Sequence, residues 1–194
     1  MQIKEGIHLA YCTNIHRGEG WEETFQGLKE YSLKVKDKVS NTDPFAIGLR
    51  LGYKAAIELS EEGSGRLDEF IQWLDVNNCY VFTINGFPYG QFHGARVKEQ
   101  VYRPDWTSNS RLEYTNLLFN ILSKILPDGI SGSVSTLPGS FKEFIANEDE
   151  QGEMIVNNLG RCGHYINQLC EKTGKDLHLG LEPEPLGWFE NTPE

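Results

Sequence analysis

Residues 177–184 read LHLGLEPE and predict a strand that ends in two carboxylates. Glu182 and Glu184 follow directly on an apolar run, and Pro183 between them fixes the backbone angle φ and stiffens the segment. The ten residues that follow, 185–194, are a polar and aromatic tail without a helical pattern. The segment is therefore interpreted as the last strand of a repeated pattern.

Four earlier apolar runs alternate with stretches that have the residue spacing of amphipathic helices. The strand-like runs cover residues 7–12, 45–51, 79–84 and 132–137, and the helical stretches cover residues 21–39, 67–74, 118–125 and 155–169. The last helical stretch is followed by Gly174, a typical C-terminal cap. Five strands alternating with four helices predict an α/β fold with a parallel sheet, strands in sequential order and helices on the outer side.

Two architectures fit this order of elements. One is an open, doubly wound sheet, and the other is part of a (β/α)₈ barrel, which typically needs about 250 residues. Residues 13–20 (TNIHRGEG) lack the glycine-rich phosphate loop of the open sheet. Because the fifth strand has no helix after it, we expect a single domain over residues 1–194 that is a parallel barrel truncated after strand five.

The composition excludes several classes of protein. The chain has 194 residues and a formal charge of −10, which argues against binding to a nucleic-acid backbone or an anionic membrane surface. No apolar run reaches the length of a membrane span, and residues 1–6 do not resemble a secretory signal. The four cysteines are far apart without a CxxC motif, so a cytoplasmic, reduced protein is expected.

Candidate functional residues are sought at the carboxyl ends of the strands, where ligands bind in both architectures. A carboxylate at such an end can hold Mg²⁺, Mn²⁺ or Zn²⁺, which favours Glu182 as a metal ligand; the alternative is a solvated loop carboxylate. Glu184 is a candidate for proton transfer, although alternate residues of a strand point to opposite faces. Four further polar side chains are predicted to bind a substrate, namely His16, Arg50, Asn85 and Tyr89. Arg50 could instead pair with Glu182.

The loop after the third strand, residues 85–110, is far longer than most connections and is expected to fold over the strand ends. His93 lies in its glycine-rich, aromatic part and is a candidate ligand or proton donor. The alternative is a loop histidine packed under Tyr89 or Phe92.

Five stretches carry a resemblance to a known family: residues 8–16, 48–51, 82–94, 97–106 and 179–185. They resemble the EboE family of metabolite-traffic proteins, in the xylose-isomerase-like TIM-barrel superfamily with sugar isomerases, ketose epimerases and endonuclease IV. The resemblance implies a divalent metal at the barrel mouth, with its first carboxylate ligand at the position of Glu182. The remaining ligands would come from strands six to eight, which these residues do not include.

Two functions are therefore expected of the chain, and in both its partner is a small-molecule metabolite. The first is metal-dependent isomerisation or epimerisation of a sugar or polyol, with Glu182 on the metal and Glu184 or His93 moving the proton. The second is binding of a metabolite without turnover, in support of its export. An endonuclease IV-like hydrolase is disfavoured by the charge of −10.

A parallel sheet with two apolar faces is not stable with one face in water. We therefore expect the chain either to self-associate or to pair with the rest of its barrel on another polypeptide.

Overall fold

The structure is a computed structural model that describes residues 1–40, 42–90 and 98–190. Its strands are β1 (Gln2–Lys4), β2 (Ile7–His8), β3 (Ala10–Cys12), β4 (Phe45–Arg50), β5 (Cys79–Asn85), β6 (Gly132–Thr136) and β7 (Leu177–Leu181). Its α-helices are α1 (Trp21–Gly27), α2 (Leu33–Val39), α3 (Tyr53–Ser60), α4 (Arg66–Val76), α5 (Asn109–Ile125) and α6 (Glu148–Thr173). A π-helical turn over Leu28–Ser32 joins α1 to α2.

The main sheet is parallel, and its strands follow the order of the chain, β3-β4-β5-β6-β7. This confirms an α/β fold with a sequential parallel sheet. The first predicted strand, residues 7–12, is divided instead: β2 pairs antiparallel with β1 in a small hairpin, and β3 enters the sheet. The sequence pattern also missed α3, a short helix that buries Ala55, Ala56 and Leu59.

One face of the sheet is apolar and carries the helices. On β4, Phe45, Ile47 and Leu49 are in register with Cys79, Val81 and Ile84 of β5, and all six are buried. Helix α5 packs on β5 and β6, and α6 packs on β7. Burial of this apolar surface is the main stabilising contribution to the fold.

The opposite face carries Tyr80 and Phe82 toward the start of β5 and small or polar side chains toward the carboxyl ends of the strands, and we call it the polar face. In register across the five strands it carries Cys12, Gly48, Thr83, Ser133 and His178. The Ser133 hydroxyl donates to Thr83 Oγ1 at 2.8 Å. The expectation that both faces are apolar is met only in part, because Thr83 and Ser133 bring hydroxyl groups to a face that also carries Tyr80 and Phe82.

Helix α6 ends as its sequence predicts. Gly174 has a φ of 69°, the left-handed conformation that favours glycine, and its N–H donates to the Cys170 carbonyl at 2.8 Å. At the other end, the Asn147 side chain accepts from the Glu150 N–H at 3.3 Å. Among the helices that the structure describes, none is long and apolar enough to cross a membrane.

Candidate functional site

Glu182 lies at the carboxyl edge of the sheet, directly after β7. Its N–H donates to the Thr136 carbonyl at 2.9 Å, so the pairing with β6 continues to this residue. Since Ser135 and Gly180 are register partners, the Glu182 side chain follows Gly180 on the polar face. Its carboxylate accepts a hydrogen bond from the Ser135 hydroxyl and another from Asn85 Nδ2 at 3.4 Å.

The carboxyl group of Glu182 is electrostatically unfavourable in its ionised form. Partial burial raises its pKa above the usual value, the hydrogen bond from Ser135 lowers it, and the negative charge of Glu184 raises it again. Among the described residues, no lysine or arginine forms an ion pair with Glu182. Protonation of the carboxyl group, a bound cation or a hydrogen-bonding ligand would each lower the cost of holding Glu182 in this partly buried place.

Asn85 is held in one orientation at the end of β5. Its Oδ1 accepts from the Phe87 N–H at 3.1 Å, so its Nδ2 is the group turned toward Glu182. The sequence predicted both residues separately, and the fold brings them together across 97 positions of the chain. Ser135, between them in the sheet, was not singled out because a serine in a strand of small residues carries no distinguishing pattern.

Glu184 lies on a tail that is bound to the loop after β6. The Glu184 carbonyl accepts from the Gly187 N–H at 2.9 Å, and the Trp188 N–H donates to the Ser140 carbonyl at 2.7 Å. A Cβ on Gly187 would lie 2.4 Å from Pro138 Cγ, so only glycine permits this close approach. The tail that the sequence left without structure thus has a defined path beside the site.

Three aromatic side chains pack together near Glu184 and are called the aromatic wall: Phe87, which is partly exposed, and Tyr102 and Phe141, which are buried. Tyr102 packs edge-on against Phe87, with ring centroids 5.1 Å apart, and its centroid is also 5.1 Å from that of Phe141. Burial raises the pKa of Tyr102, and the charges of Glu184 and Glu190 raise it further. Tyr102 belongs to the long loop, whose described part therefore reaches the carboxyl edge of the sheet.

Arg50, predicted to bind a substrate, lies at the end of β4 and lines a cleft with Thr13 and His16. Its side chain is 4% exposed, and its guanidinium donates to the carbonyls of Gly18 at 3.1 Å and Gly90 at 2.9 Å. It lies 3.8 Å from Glu19 and pairs with that residue, not with Glu182. Its function in the fold is to join the loops after β3 and β5.

Tyr89 is also occupied by neighbouring side chains. Its ring stacks on Tyr53 at 4.6 Å and meets Tyr114 edge-on at 5.0 Å. Burial, followed by the influence of Tyr53, raises the pKa of Tyr89 to about 12, so its hydroxyl remains protonated at neutral pH. Tyr89 packs within an aromatic cluster beside α3 and α5.

His16 lies toward the helix side of the sheet. Its Nε2 shares a 2.9 Å hydrogen bond with the Tyr11 hydroxyl, and its ring stacks on Tyr31 at 4.8 Å. Tyr11 is in register with Ile47, whose side chain faces the helices, and its ring contacts Phe45. Burial lowers the pKa of His16, which favours the neutral imidazole. His93 lies outside the described residues and stays a prediction.

The chain has no match among protein-family models, curated proteins or solved structures. Within the part of the chain that the structure describes, no group of three or more His, Cys, Asp or Glu side chains could hold a metal ion. The described candidate site is thus Glu182 with Asn85 and Ser135, flanked by Glu184 and the aromatic wall.

Proposed function

We propose that the chain forms five βα units of a xylose-isomerase-like barrel and that its carboxyl edge binds a small sugar or polyol for isomerisation or epimerisation. The observation that carries the proposal is the Glu182 carboxylate, which is half-buried on the polar face and close to a second carboxylate. Carboxylate oxygens accept hydrogen bonds from sugar hydroxyls, and the Asn85 amide and Ser135 hydroxyl can exchange their present bonds for bonds to a ligand.

The proton transfer of such a reaction needs an acid and a base whose pKa values differ. Burial raises the pKa of Glu182, which suits the group that donates a proton. Glu184 is the described candidate for the partner that accepts a proton, and the tail hydrogen bonds fix its backbone. His93 is the second candidate for this step.

A divalent cation, Mg²⁺, Mn²⁺ or Zn²⁺, is part of the prediction from the sequence, and when bound it would act as a Lewis acid on a substrate oxygen. Two carboxylates, Glu182 and Glu184, are the hard oxygen ligands that the described site offers. The Asn85 oxygen is used by the Phe87 N–H. These residues do not make a metal site on their own, so no step of the proposal passes through a metal.

A metabolite-binding protein without turnover, in support of export, is the second candidate. The partly exposed ring of Phe87 beside Asn85 favours it, because an aromatic face next to hydrogen-bonding groups can hold a sugar without acting on it. An endonuclease-like activity has no described feature in its favour.

The proposal also includes a partner for the open sheet. Within the described residues, β3 pairs only with β4 and β7 pairs only with β6, which leaves one side of each strand for further pairing. We propose that a second copy or the rest of the barrel on another polypeptide covers these edges. Light scattering of the purified chain tests the first alternative: a monomer at all concentrations would contradict self-association.

The test of function is a panel of aldoses, ketoses and linear polyols, with and without Mg²⁺, Mn²⁺ or Zn²⁺. Binding is followed by calorimetry, and turnover by deuterium uptake from D₂O at the substrate carbons. Glu182→Gln is expected to abolish both, whereas Glu153→Gln, the same change on the exposed surface of α6, is expected to leave both unchanged. Binding without deuterium uptake would support the second candidate, and no binding by any member would contradict the proposal.

A further inference from the structure

Asp105 is a buried carboxylate in the long loop, outside the candidate site. It is 2% exposed, and both of its oxygens accept hydrogen bonds. Oδ2 accepts from the Ser140 hydroxyl at 2.6 Å, and Oδ1 accepts from the Thr107 N–H at 3.0 Å and from the Thr107 hydroxyl. A buried carboxylate is costly unless it is fully hydrogen-bonded, so this arrangement strongly favours one position of the loop.

Ser140 connects Asp105 to the tail after β7. Its side chain is fully buried and donates to Asp105, while its carbonyl accepts from the Trp188 N–H at 2.7 Å. On either side of Ser140, the Phe189 N–H donates to the Pro138 carbonyl and the Lys142 N–H donates to the Leu186 carbonyl. One short segment, residues 138–142, therefore holds the long loop on one side and the tail on the other.

The tail in turn positions Glu184. The hydrogen bond from the Gly187 N–H to the Glu184 carbonyl closes a turn that begins at Glu184. Three residues that follow it, Leu186, Trp188 and Phe189, form the hydrogen bonds to the segment 138–142. Gly187 also bridges to Phe141, whose ring belongs to the aromatic wall. A displacement of Ser140 is thus expected to move both the wall and Glu184.

We propose that Asp105 and Ser140 are a positioning pair, which holds Glu184 and the aromatic wall in place beside Glu182. The pair touches neither carboxylate directly and acts through the tail. This inference rests on the proposed function for the use made of Glu184, but the positioning itself is a property of the fold.

Hydrogen exchange of the tail tests the positioning independently of any ligand. In Ser140→Ala the amides of residues 187–189 are expected to exchange about tenfold faster, because a buried hydrogen bond to a carboxylate is lost. Amides of β4 are expected to keep their rates. The separate variant Asp105→Asn, whose side chain can still pair with the Ser140 hydroxyl, is expected to lose less of the tail protection than Ser140→Ala. The control Ser123→Ala removes a buried hydroxyl in the last turn of α5 that donates to the Asn120 carbonyl. The inference would be overturned if Ser140→Ala left the exchange rates of the tail unchanged, or if it raised the rates of the tail and of β4 by the same factor.

A double-mutant cycle tests the link to the site, with the sugar of the panel that binds most tightly. Ser140→Ala is expected to weaken its binding about tenfold in the wild-type background and to have no further effect in Glu184→Gln. The same loss in both backgrounds would show a merely structural contribution and would overturn the positioning of Glu184. If no sugar binds, the proposed function fails, and hydrogen exchange still decides the positioning.

Discussion

The carboxyl edge of the sheet has two halves that look alike in sequence and differ in structure. The carboxylate half comprises Asn85, Ser135, Glu182 and Glu184, and the arginine half is centred on Arg50 at the end of β4. In the arginine half, the guanidinium donates to two loop carbonyls and lies beside Glu19. In the carboxylate half, the environment of Glu182 opposes its ionisation. The two halves therefore differ in how their charge is held: the Arg50 charge lies beside Glu19 and two carbonyls, although its Nε has no hydrogen-bond partner, whereas no described lysine or arginine forms an ion pair with Glu182.

The largest expected effect comes from Arg50→Met. Removal of the guanidinium takes two charge-assisted hydrogen bonds from the partly buried Gly18 and Gly90 carbonyls, so the free energy of unfolding should fall by about 3 kcal/mol. Urea denaturation measures the loss. Arg50→Lys, which keeps the charge but not the two-sided donor geometry, should recover only part of it. A variant of unchanged stability would show that the two halves do not differ in this way.

A smaller effect is expected from Gly86→Ala, next to the carboxylate half. The new Cβ would lie 2.6 Å from Leu118 Cδ1 and 3.0 Å from the Ser135 carbonyl oxygen, so α5 or β6 must shift. We expect a loss of about 2 kcal/mol in the free energy of unfolding. The matched change Gly180→Ala places its methyl group on the polar face, with no described atom within 4 Å, and should leave stability within about 0.5 kcal/mol. Equal losses of stability in both variants would contradict the difference in packing between the Gly86 and Gly180 positions.

Glu182→Gln is expected to stabilise the chain slightly at neutral pH. Because the folded state raises the pKa of Glu182, the folded protein holds this proton more tightly than the unfolded chain. Wild-type stability should therefore fall as the pH rises from the ordinary glutamate pKa through the raised value, and the glutamine variant should lack this fall. With solvent screening the gain at pH 7 is at most about 1 kcal/mol. Denaturation curves recorded between about pH 4 and about pH 7 measure this difference in stability. If Glu182→Gln were less stable than the wild type at pH 7, a raised pKa of Glu182 in the folded state would be contradicted.

The smallest expected effect concerns His16 and has the opposite sign with pH. Burial lowers the pKa of His16 in the folded state, so the unfolded chain binds this proton more tightly. Stability should fall as the pH drops through the ordinary histidine pKa toward the lowered value. His16→Phe, which can keep the stacking on Tyr31, should remove this part of the pH dependence. An unchanged pH profile would show that the ring is not desolvated in the folded state.

The order of the strands was predictable from the alternation of apolar runs and helical spacing, because each pattern depends on residues close in the chain. The short helix α3 and the hairpin of β1 and β2 were not predictable, since each element has too few residues to show a recognisable pattern. The place of Glu182 at the carboxyl edge was predictable, because it directly follows an apolar strand. Its contacts with Asn85 and Ser135 depend on sheet register, which local patterns do not encode.

The same limit applies to the contacts of the other predicted site residues. Arg50 and Asn85 both end predicted strands, so no local pattern separated them, and their register with each other is a property of the fold. Only the three-dimensional fold brings the carbonyls of Gly18 and Gly90 to the Arg50 guanidinium. Asp105 and Ser140 were missed for a related reason: they are 35 positions apart, and their hydrogen bond becomes visible only when the long loop is placed.

Sugar and polyol binding by three matched proteins tests the central claim most directly. Calorimetric titration compares the wild type, Glu182→Gln and Arg50→Lys under conditions in which all three are folded. The account predicts that binding is lost in Glu182→Gln and retained in Arg50→Lys. Binding retained in Glu182→Gln and lost in folded Arg50→Lys would place the ligand in the arginine half and contradict the account.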